Sequence, residues 1–273
     1  MGKKERADVY LVKEGFFASR ERAKAAILEG KVFVSGQRLE KAGTLVDSLN
    51  HLVIRPEFPY VSRGGLKLEK ALKIFGVDVR GKVVLDAGAG VGGFTDYLIK
   101  AGAAKVIAVD VGYGDFAFSL RQNPKVFLLE RTNFRYLTPD KIPEVPQLIT
   151  VDLSFISVKK VTETLKNLLE PEGGALILVK PQFEAPREDV GRKGVVRDEE
   201  VHKEVLQELW QYCEQQEFEI KGMTFSPILG REGNMEFWMH LKKNSPRSTP
   251  KAQIQKIVEK VVSDAHRELL VTP

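Results

Sequence analysis

Val83-Val84-Leu85-Asp86-Ala87-Gly88-Ala89-Gly90-Val91-Gly92-Gly93-Phe94-Thr95 decides the fold. An apolar run carries an acid near its end, passes straight into glycines, and opens a helical pattern through Tyr97, Leu98 and Ile99. A second apolar run, Val106 to Val109, ends in another acid, Asp110. Strand, glycine turn, helix, strand and acid make the first half of a nucleotide-binding α/β unit.

Gly88, Gly90 and Gly93 fit G-x-G-x-x-G, in which missing Cβ atoms permit a tight turn and let backbone approach a ligand closely. Asp110 lies 24 residues beyond Asp86, a suitable distance for a carboxylate that accepts both ribose hydroxyls. Such turns serve nicotinamide and flavin dinucleotides, serve S-adenosylmethionine, and also occur with no ligand at all. Asp86 favours S-adenosylmethionine: a carboxylate two residues before the first glycine suits an ammonium-bearing end and repels a pyrophosphate.

Outward from this unit, strands are expected at 82–86, 104–109, 125–129, 147–152 and 175–180, with helices at 93–101, 114–122, 158–168 and 199–216. Apolar strands alternating with helices imply a mostly parallel sheet covered on both faces. The last two strands, 218–226 and 235–242, have only Pro227 to Asn234 between them. That is too short for a crossover helix, so this pair is expected to be antiparallel. The fold class is therefore α/β, a Rossmann-like methyltransferase arrangement, and the terminal antiparallel hairpin counts against a dehydrogenase.

Three polar residues fall where such a sheet meets its ligands, near the carboxyl ends of the parallel strands. Asp152 closes the strand Leu148-Ile149-Thr150-Val151, and Lys180 closes Ala175-Leu176-Ile177-Leu178-Val179. Glu236 stands near the start of the last strand. A helix opens after Ser62-Arg63-Gly64-Gly65, with apolar residues at 68, 71, 72 and 75 and Gly76 as its stop. Lys67 sits off that stripe, and spacing alone makes it a solvated lysine. Arg187, Arg192, Lys193 and Arg197 crowd the stretch after Pro181, as a plain surface loop or a flap over a polyanion.

Residues 5–55 form a small α+β unit of their own. Ala7 to Lys13 read as a helix ended by Gly15, and Ser19 as the N-cap of a second helix that Gly30 stops. Val32-Phe33-Val34 enters a tight turn at Ser35-Gly36, and Leu52-Val53-Ile54 is a later strand. Gly15-Phe16-Phe17-Ala18-Ser19-Arg20-Glu21-Arg22-Ala23-Lys24-Ala25-Ala26-Ile27-Leu28-Glu29-Gly30-Lys31-Val32-Phe33-Val34-Ser35-Gly36 resembles the S4-type RNA-binding domain. That resemblance implies RNA-backbone contacts from Arg6, Ser19, Arg20, Arg22, Lys24 and Lys31, joined by Arg63. The net charge of +5 is uneven in the same sense: residues 1–80 hold 16 Lys or Arg against 10 Asp or Glu, while the rest hold 26 against 27. A basic end on a nearly neutral body fits polyanion binding, though a solvated surface looks the same on charge alone.

Composition sets the remaining limits. At 43% hydrophobic and 29% charged, the 273-residue chain is that of a soluble globular protein with room for one α/β domain and something small. No apolar run approaches the roughly 18 residues of a membrane span, and no signal pattern opens the chain. The single cysteine, Cys213, offers no internal disulfide, and no Cys/His cluster offers a metal site. These features point to a cytoplasmic protein without membrane or metal. Pro56 and Pro59 mark a linker. After Lys243, Asn-Ser-Pro-Arg-Ser-Thr-Pro marks another, before an amphipathic helix at 252–268 that either packs on the body, binds a partner or hangs free. The expected domains are 1–58, 59–243 and 244–273.

Seven segments together carry a wider resemblance. They are Ser62-Arg63-Gly64-Gly65-Leu66-Lys67-Leu68, Val91-Gly92-Gly93-Phe94-Thr95-Asp96, Val109-Asp110-Val111-Gly112-Tyr113-Gly114, Glu130-Arg131-Thr132-Asn133, Asp152-Leu153-Ser154-Phe155-Ile156-Ser157, Leu178-Val179-Lys180-Pro181-Gln182-Phe183-Glu184 and Gly233-Asn234-Met235-Glu236-Phe237. From about residue 5 to 243 the chain resembles the TlyA proteins, FtsJ-like 2′-O-ribose methyltransferases with an S4-type domain in front. The resemblance implies a Lys67, Asp152, Lys180, Glu236 tetrad, which changes the reading of Lys67. It implies S-adenosylmethionine as cofactor, held by Asp86, Gly88, Gly90, Gly92, Gly93, Phe94, Asp110, Val111, Asn133 and Asp152. It also implies ribosomal RNA or ribosomal subunits as partner and cytidine 2′-hydroxyls as target. The chain departs from the usual pattern at Ala89-Gly90-Val91 and at Asp115-Phe116-Ala117-Phe118. A non-catalytic RNA-binding protein, a haemolysin-like protein and a nicotinamide-dependent oxidoreductase are the competing readings. Oligomeric state is not legible.

Overall fold

The computed structural model describes residues 4–28, 31–46, 52–54, 59–243 and 248–270. The chain divides into two units, Met1–Pro59 and Tyr60–Pro273. The expected stop at Gly30, the linker residue Pro56 and the linker 244–247 lie outside the described residues.

In the first unit, strand β1 (Glu5–Arg6) leads into helices α1 (Ala7–Lys13) and α2 (Arg20–Leu28), followed by β2 (Val32–Val34), β3 (Gln37–Arg38), β4 (Leu45–Val46) and β5 (Leu52–Ile54). Ser19 Oγ accepts from the Arg22 amide at 3.3 Å, so the expected N-cap is in place. Strands β2 and β3 pair antiparallel across Ser35 and Gly36, whose φ values of 47° and 81° belong to the turn type that matches the twist of a hairpin. Leu11, Ala23, Ile27 and Val32 are among the side chains that fill its small core.

The second unit opens with helix α3 (Gly64–Phe75), which ends at Gly76 in a left-handed cap of φ 63°. Then follow β6 (Val83–Ala87), α4 (Gly93–Lys100), β7 (Lys105–Val109), α5 (Phe118–Arg121), β8 (Val126–Leu129), β9 (Leu148–Val151), α6 (Thr162–Leu168), β10 (Gly174–Val179), α7 (Glu199–Gln215), β11 (Phe218–Phe225), β12 (Phe237–Lys243) and α8 (Lys251–Leu270). The sheet order is β11-β12-β10-β9-β6-β7-β8. Strands β10, β9, β6, β7 and β8 are parallel, and β12 runs antiparallel to both β10 and β11, as the short connection requires.

Successive strand residues serve opposite faces of the sheet. Leu85, Ala87, Ile107, Val109, Ile149 and Val151 join one core, while Val84, Val106, Leu148, Leu176 and Leu178 join the other with Leu68 and Leu72 of α3. Helix α8 packs on the body: Ile254, Val258, Val262 and Ala265 belong to the first of these cores.

Two expected helices come out shorter. In the 114–122 stretch only Phe118–Arg121 is helical. Gly114 takes φ +89°, and the carboxylates of Asp110 and Glu130 capture the amides of Gly112 and Gly114 that would start an earlier turn. The 158–168 stretch splits into a 3-10 turn, Val158–Lys160, and α6.

Register fixes which residues share an edge. Ala87 pairs with both Val109 and Val151, so Gly88, Asp110 and Asp152 leave the sheet side by side. Val179 pairs with Phe237 across the antiparallel ladder, which sets Lys180 and Glu236 at one end of that pair. Because β12 runs backwards, its start, not its end, reaches the carboxyl edge of the parallel strands.

Candidate active site

The glycine loop is shaped by its own packing as well as by openness. Gly88 has φ +85°, and a Cβ there would run into the Asp152 carbonyl. A Cβ on Gly92 (φ +101°) would lie 2.5 Å from Leu120 Cδ1, and one on Gly93 would strike Ser62 Oγ. Gly90 (φ +53°) instead faces open space. Its amide donates to Asp110 Oδ2 at 2.7 Å, and the Gly112 amide donates to Asp110 Oδ1 at 2.7 Å. Two amides thus fix the Asp110 carboxylate at the rim, with lone pairs left over for a diol.

Val111 beside it is exposed. Asn133 accepts from the Arg135 amide at 3.0 Å and lines a cavity of about 170 Å³ with Arg131, Thr132 and Tyr136. A pinned carboxylate, a bare glycine and an adjacent cavity suit the adenosine portion of S-adenosylmethionine. Burial bears on two of the expected contacts: it contradicts the one from Asp86 and limits Phe94 to its backbone. Asp86 does not face a ligand: it is fully buried, accepting from Thr95 Oγ1 at 2.7 Å and Thr150 Oγ1 at 3.3 Å. Burial pushes its carboxyl up to about 7, with Asp152 adding to the push. Its place is beneath the loop, bracing the start of α4. The Phe94 ring is likewise core, 5.6 Å from the ring of Trp238, so only its backbone is available to a ligand.

The four tetrad residues come together as two ion pairs. Lys67 Nζ lies 2.5 Å from Glu236 Oε2, and Lys180 Nζ lies 2.6 Å from Asp152 Oδ1. The second pair is close but off the axis of a hydrogen bond; Lys180 donates instead to Ser154 Oγ at 3.0 Å. Lys67, solvated on spacing alone, is buried, because the start of α3 lies against α4 and its side chain meets the β12 edge. Burial pushes the Glu236 carboxyl up; Lys67 opposes this, Asp152 adds to it and Lys180 opposes it. All four groups therefore feel one another. Two ammonium groups and two carboxylates balance in charge, which is what partly buried ions require.

Several supporting residues escaped the sequence. Gly230 leaves room for the Glu236 carboxylate, which a Cβ would strike. Asn234 accepts from the Val196 amide at 3.1 Å and donates to the Gly194 carbonyl at 2.8 Å, tying the 191–196 segment to the start of β12. Arg187, Arg192, Lys193 and Arg197 around that segment are exposed. Asn234 stood within a quoted motif; Gly230 carried no signal.

In the N-terminal unit, Arg6 and Arg20 both hold the buried Asp8 carboxylate, at 3.0 Å each. The Arg6 hydrogen bond is the main cause that holds the Asp8 carboxyl down at about 2. These two arginines are half exposed and have a structural task besides any RNA contact. Arg22 and Lys24 are fully on the surface, Ser19 is engaged as a cap and Lys31 is half-buried. Arg63, in the second unit, is exposed at the start of α3. Among the described residues, no group of His, Cys, Asp and Glu is arranged to hold a metal, and no helix is long and apolar enough to cross a membrane.

Residues 60–243 match the FtsJ-like methyltransferase family and residues 5–51 the S4 domain. The chain is 37% identical to the 16S/23S rRNA (cytidine-2′-O)-methyltransferase TlyA of Mycobacterium tuberculosis, over 97% of this chain and 99% of that protein. It is 37% identical to Hemolysin A of Brachyspira hyodysenteriae, over 86% of this chain and 98% of that protein. A solved structure from Streptococcus thermophilus, provisionally named a hemolysin, is 40% identical and covers 98% of both chains with a TM-score of 0.75.

Proposed function

The chain belongs to the FtsJ-like methyltransferase family, with an S4 domain in front, and from that premise we propose that it methylates a ribose 2′-hydroxyl of ribosomal RNA, with cytidine as the target nucleotide. The observation that carries this reading is the pairing of Lys67 with Glu236 and of Lys180 with Asp152 on the edge that also bears Gly88 and Asp110. S-adenosylmethionine, when bound, supplies an electrophilic methyl group on a sulfonium.

The chain's residues supply the rest. Asp110 and the open Gly90 hold the adenosine end, and Asp152 gives the cationic centre a facing carboxylate. A ribose hydroxyl is a poor nucleophile and must lose its proton as it attacks. Once the Lys180 ammonium has given up one proton to solvent, its amine takes the hydroxyl proton and the pair with Asp152 ends the step as it began, while Ser154 and Asp152 fix its direction. Lys67 and Glu236 set the charge beside it. Holding hydroxyl and methyl donor in line lowers the barrier by positioning. The basic surface of the N-terminal unit, led by Arg22 and Lys24, contributes salt-dependent affinity for RNA backbone. Its place of work is then the cytoplasm, where ribosomal RNA is found.

The test is transfer of labelled methyl from S-adenosylmethionine to ribosomal RNA from cells lacking this gene, followed by mapping of the modified nucleotide. Label on a cytidine 2′-oxygen is expected. Label on a base, or none, would sink the proposal.

A further inference from the structure

The loop after β9 and the turn after β10 are laced at three points. Ser154 Oγ accepts from Lys180 Nζ at 3.0 Å. The rings of Phe155 and Phe183 stand 5.1 Å apart. Ser157 Oγ and the Val158 amide donate to the two oxygens of Glu184, at 2.6 and 2.7 Å. The last contact is the strongest in kind, because two donors meet one ionised acceptor.

Each side of the lacing has its own reason to need the other. Phe155 takes φ 63° with its side chain 91% exposed, so this left-handed conformation is held through the loop backbone rather than by burial of the ring. The Val158 amide opens a 3-10 turn and has no partner within that turn. Glu184 satisfies it. On the other side, the Phe183 amide bonds the Lys180 carbonyl at 2.9 Å, and the Glu184 and Ala185 amides bond the Pro181 carbonyl at 3.0 and 2.8 Å. Glu184 is thus fixed relative to Lys180 by backbone, with buried Pro181 stiffening the turn. Its carboxylate takes no lysine: the nearby Lys159 ammonium pairs with Glu208 at 2.5 Å. Burial pushes the Glu184 carboxyl up and the Ser157 hydrogen bond pulls it back, so the group is kept in place at a desolvation cost.

We propose that Glu184 is a positioning residue, clamping the 154–158 loop so that Ser154 and Asp152 meet the Lys180 amine in one fixed orientation. The inference rests on the role given to Lys180 above. Glu184 itself touches no reacting atom; it acts through Ser157 and Val158.

Two readouts on the full-length protein test it. Hydrogen exchange at the Val158 amide reports the clamp whether or not the enzyme turns over. Steady-state methylation of unmodified ribosomal RNA reports its consequence. In Glu184→Ala, Val158 exchange should speed up and kcat should fall on the order of tenfold to a hundredfold, with S-adenosylmethionine affinity unchanged. Glu184→Gln keeps the shape and one acceptor and should restore most of the loss, a rescue that also covers the case in which the alanine variant fails to fold. Unchanged exchange, or faster exchange with full kcat, overturns the positioning role while wild-type turnover leaves the ribose reading intact. A wild-type enzyme that transfers no methyl to RNA overturns both.

Discussion

Lys67 and Glu236 are 169 positions apart in the chain, yet Lys67 Nζ lies 2.5 Å from Glu236 Oε2 in a site where both are nearly shielded from water. Removing one partner of such a pair strands a buried charge and costs about 3–5 kcal/mol. Lys67→Met and Glu236→Gln should each destabilise on that scale in urea unfolding. The double variant should recover most of the stability and none of the methyl transfer. Additive losses would mean that the two groups are not coupled.

Lys180→Ala should lower kcat by about 10²–10⁴-fold, the range for loss of a general base. Calorimetry should find S-adenosylmethionine bound nearly as well as in the wild type. Substantial turnover in this variant would remove Lys180 from the proton transfer.

Asp110→Ala frees the amides of Gly90 and Gly112 and removes the acceptor assigned to the ribose of the cofactor. Hydrogen bonds to a charged group contribute about 1.5–3 kcal/mol, so affinity for S-adenosylmethionine should fall roughly ten- to hundredfold. The kcat at saturating cofactor should change little. An unaltered dissociation constant would place the cofactor elsewhere.

Asp86 predicts a pH signature. Burial raises its carboxyl from 3.8 to about 7, so between those values the folded protein keeps a proton that the unfolded chain has released. Its contribution to stability therefore declines as pH rises through that window and is level above it. Asp86→Asn removes the titration. The stability of the variant relative to wild type should climb from about pH 4 to 7 and then flatten; parallel urea-unfolding curves across that range would contradict it.

Charge reversal at Arg22 and Lys24 should weaken binding to ribosomal RNA and reduce its salt dependence, by roughly 0.7–0.9 in the logarithmic slope for each phosphate no longer neutralised. Catalytic-domain binding of S-adenosylmethionine serves as the control. Equal salt slopes in variant and wild type would show that this helix does not meet the backbone.

Much of this molecule was legible in one dimension because its signals are local. Continuous apolar runs and glycine punctuation announced β6 to β10, and the short span between β11 and β12 forced an antiparallel return. Asp152 and Lys180 could be read as site residues because each follows directly on a buried strand. Helix α5 was overestimated because the competition is not local: Glu130, from the far side of β8, captures the Gly114 amide.

The sequence by itself determined the α/β alternation, the glycine turn, the carboxyl-edge residues and the basic N-terminal unit, since each follows from neighbouring side chains or spacing. Only the tertiary structure decided that Lys67 is buried against Glu236, that Asp86 braces the loop from beneath, and that Glu184 grips the loop beside Lys180. Those depend on which surfaces close over which charges, and a buried charge takes its partner from wherever the folded chain brings one.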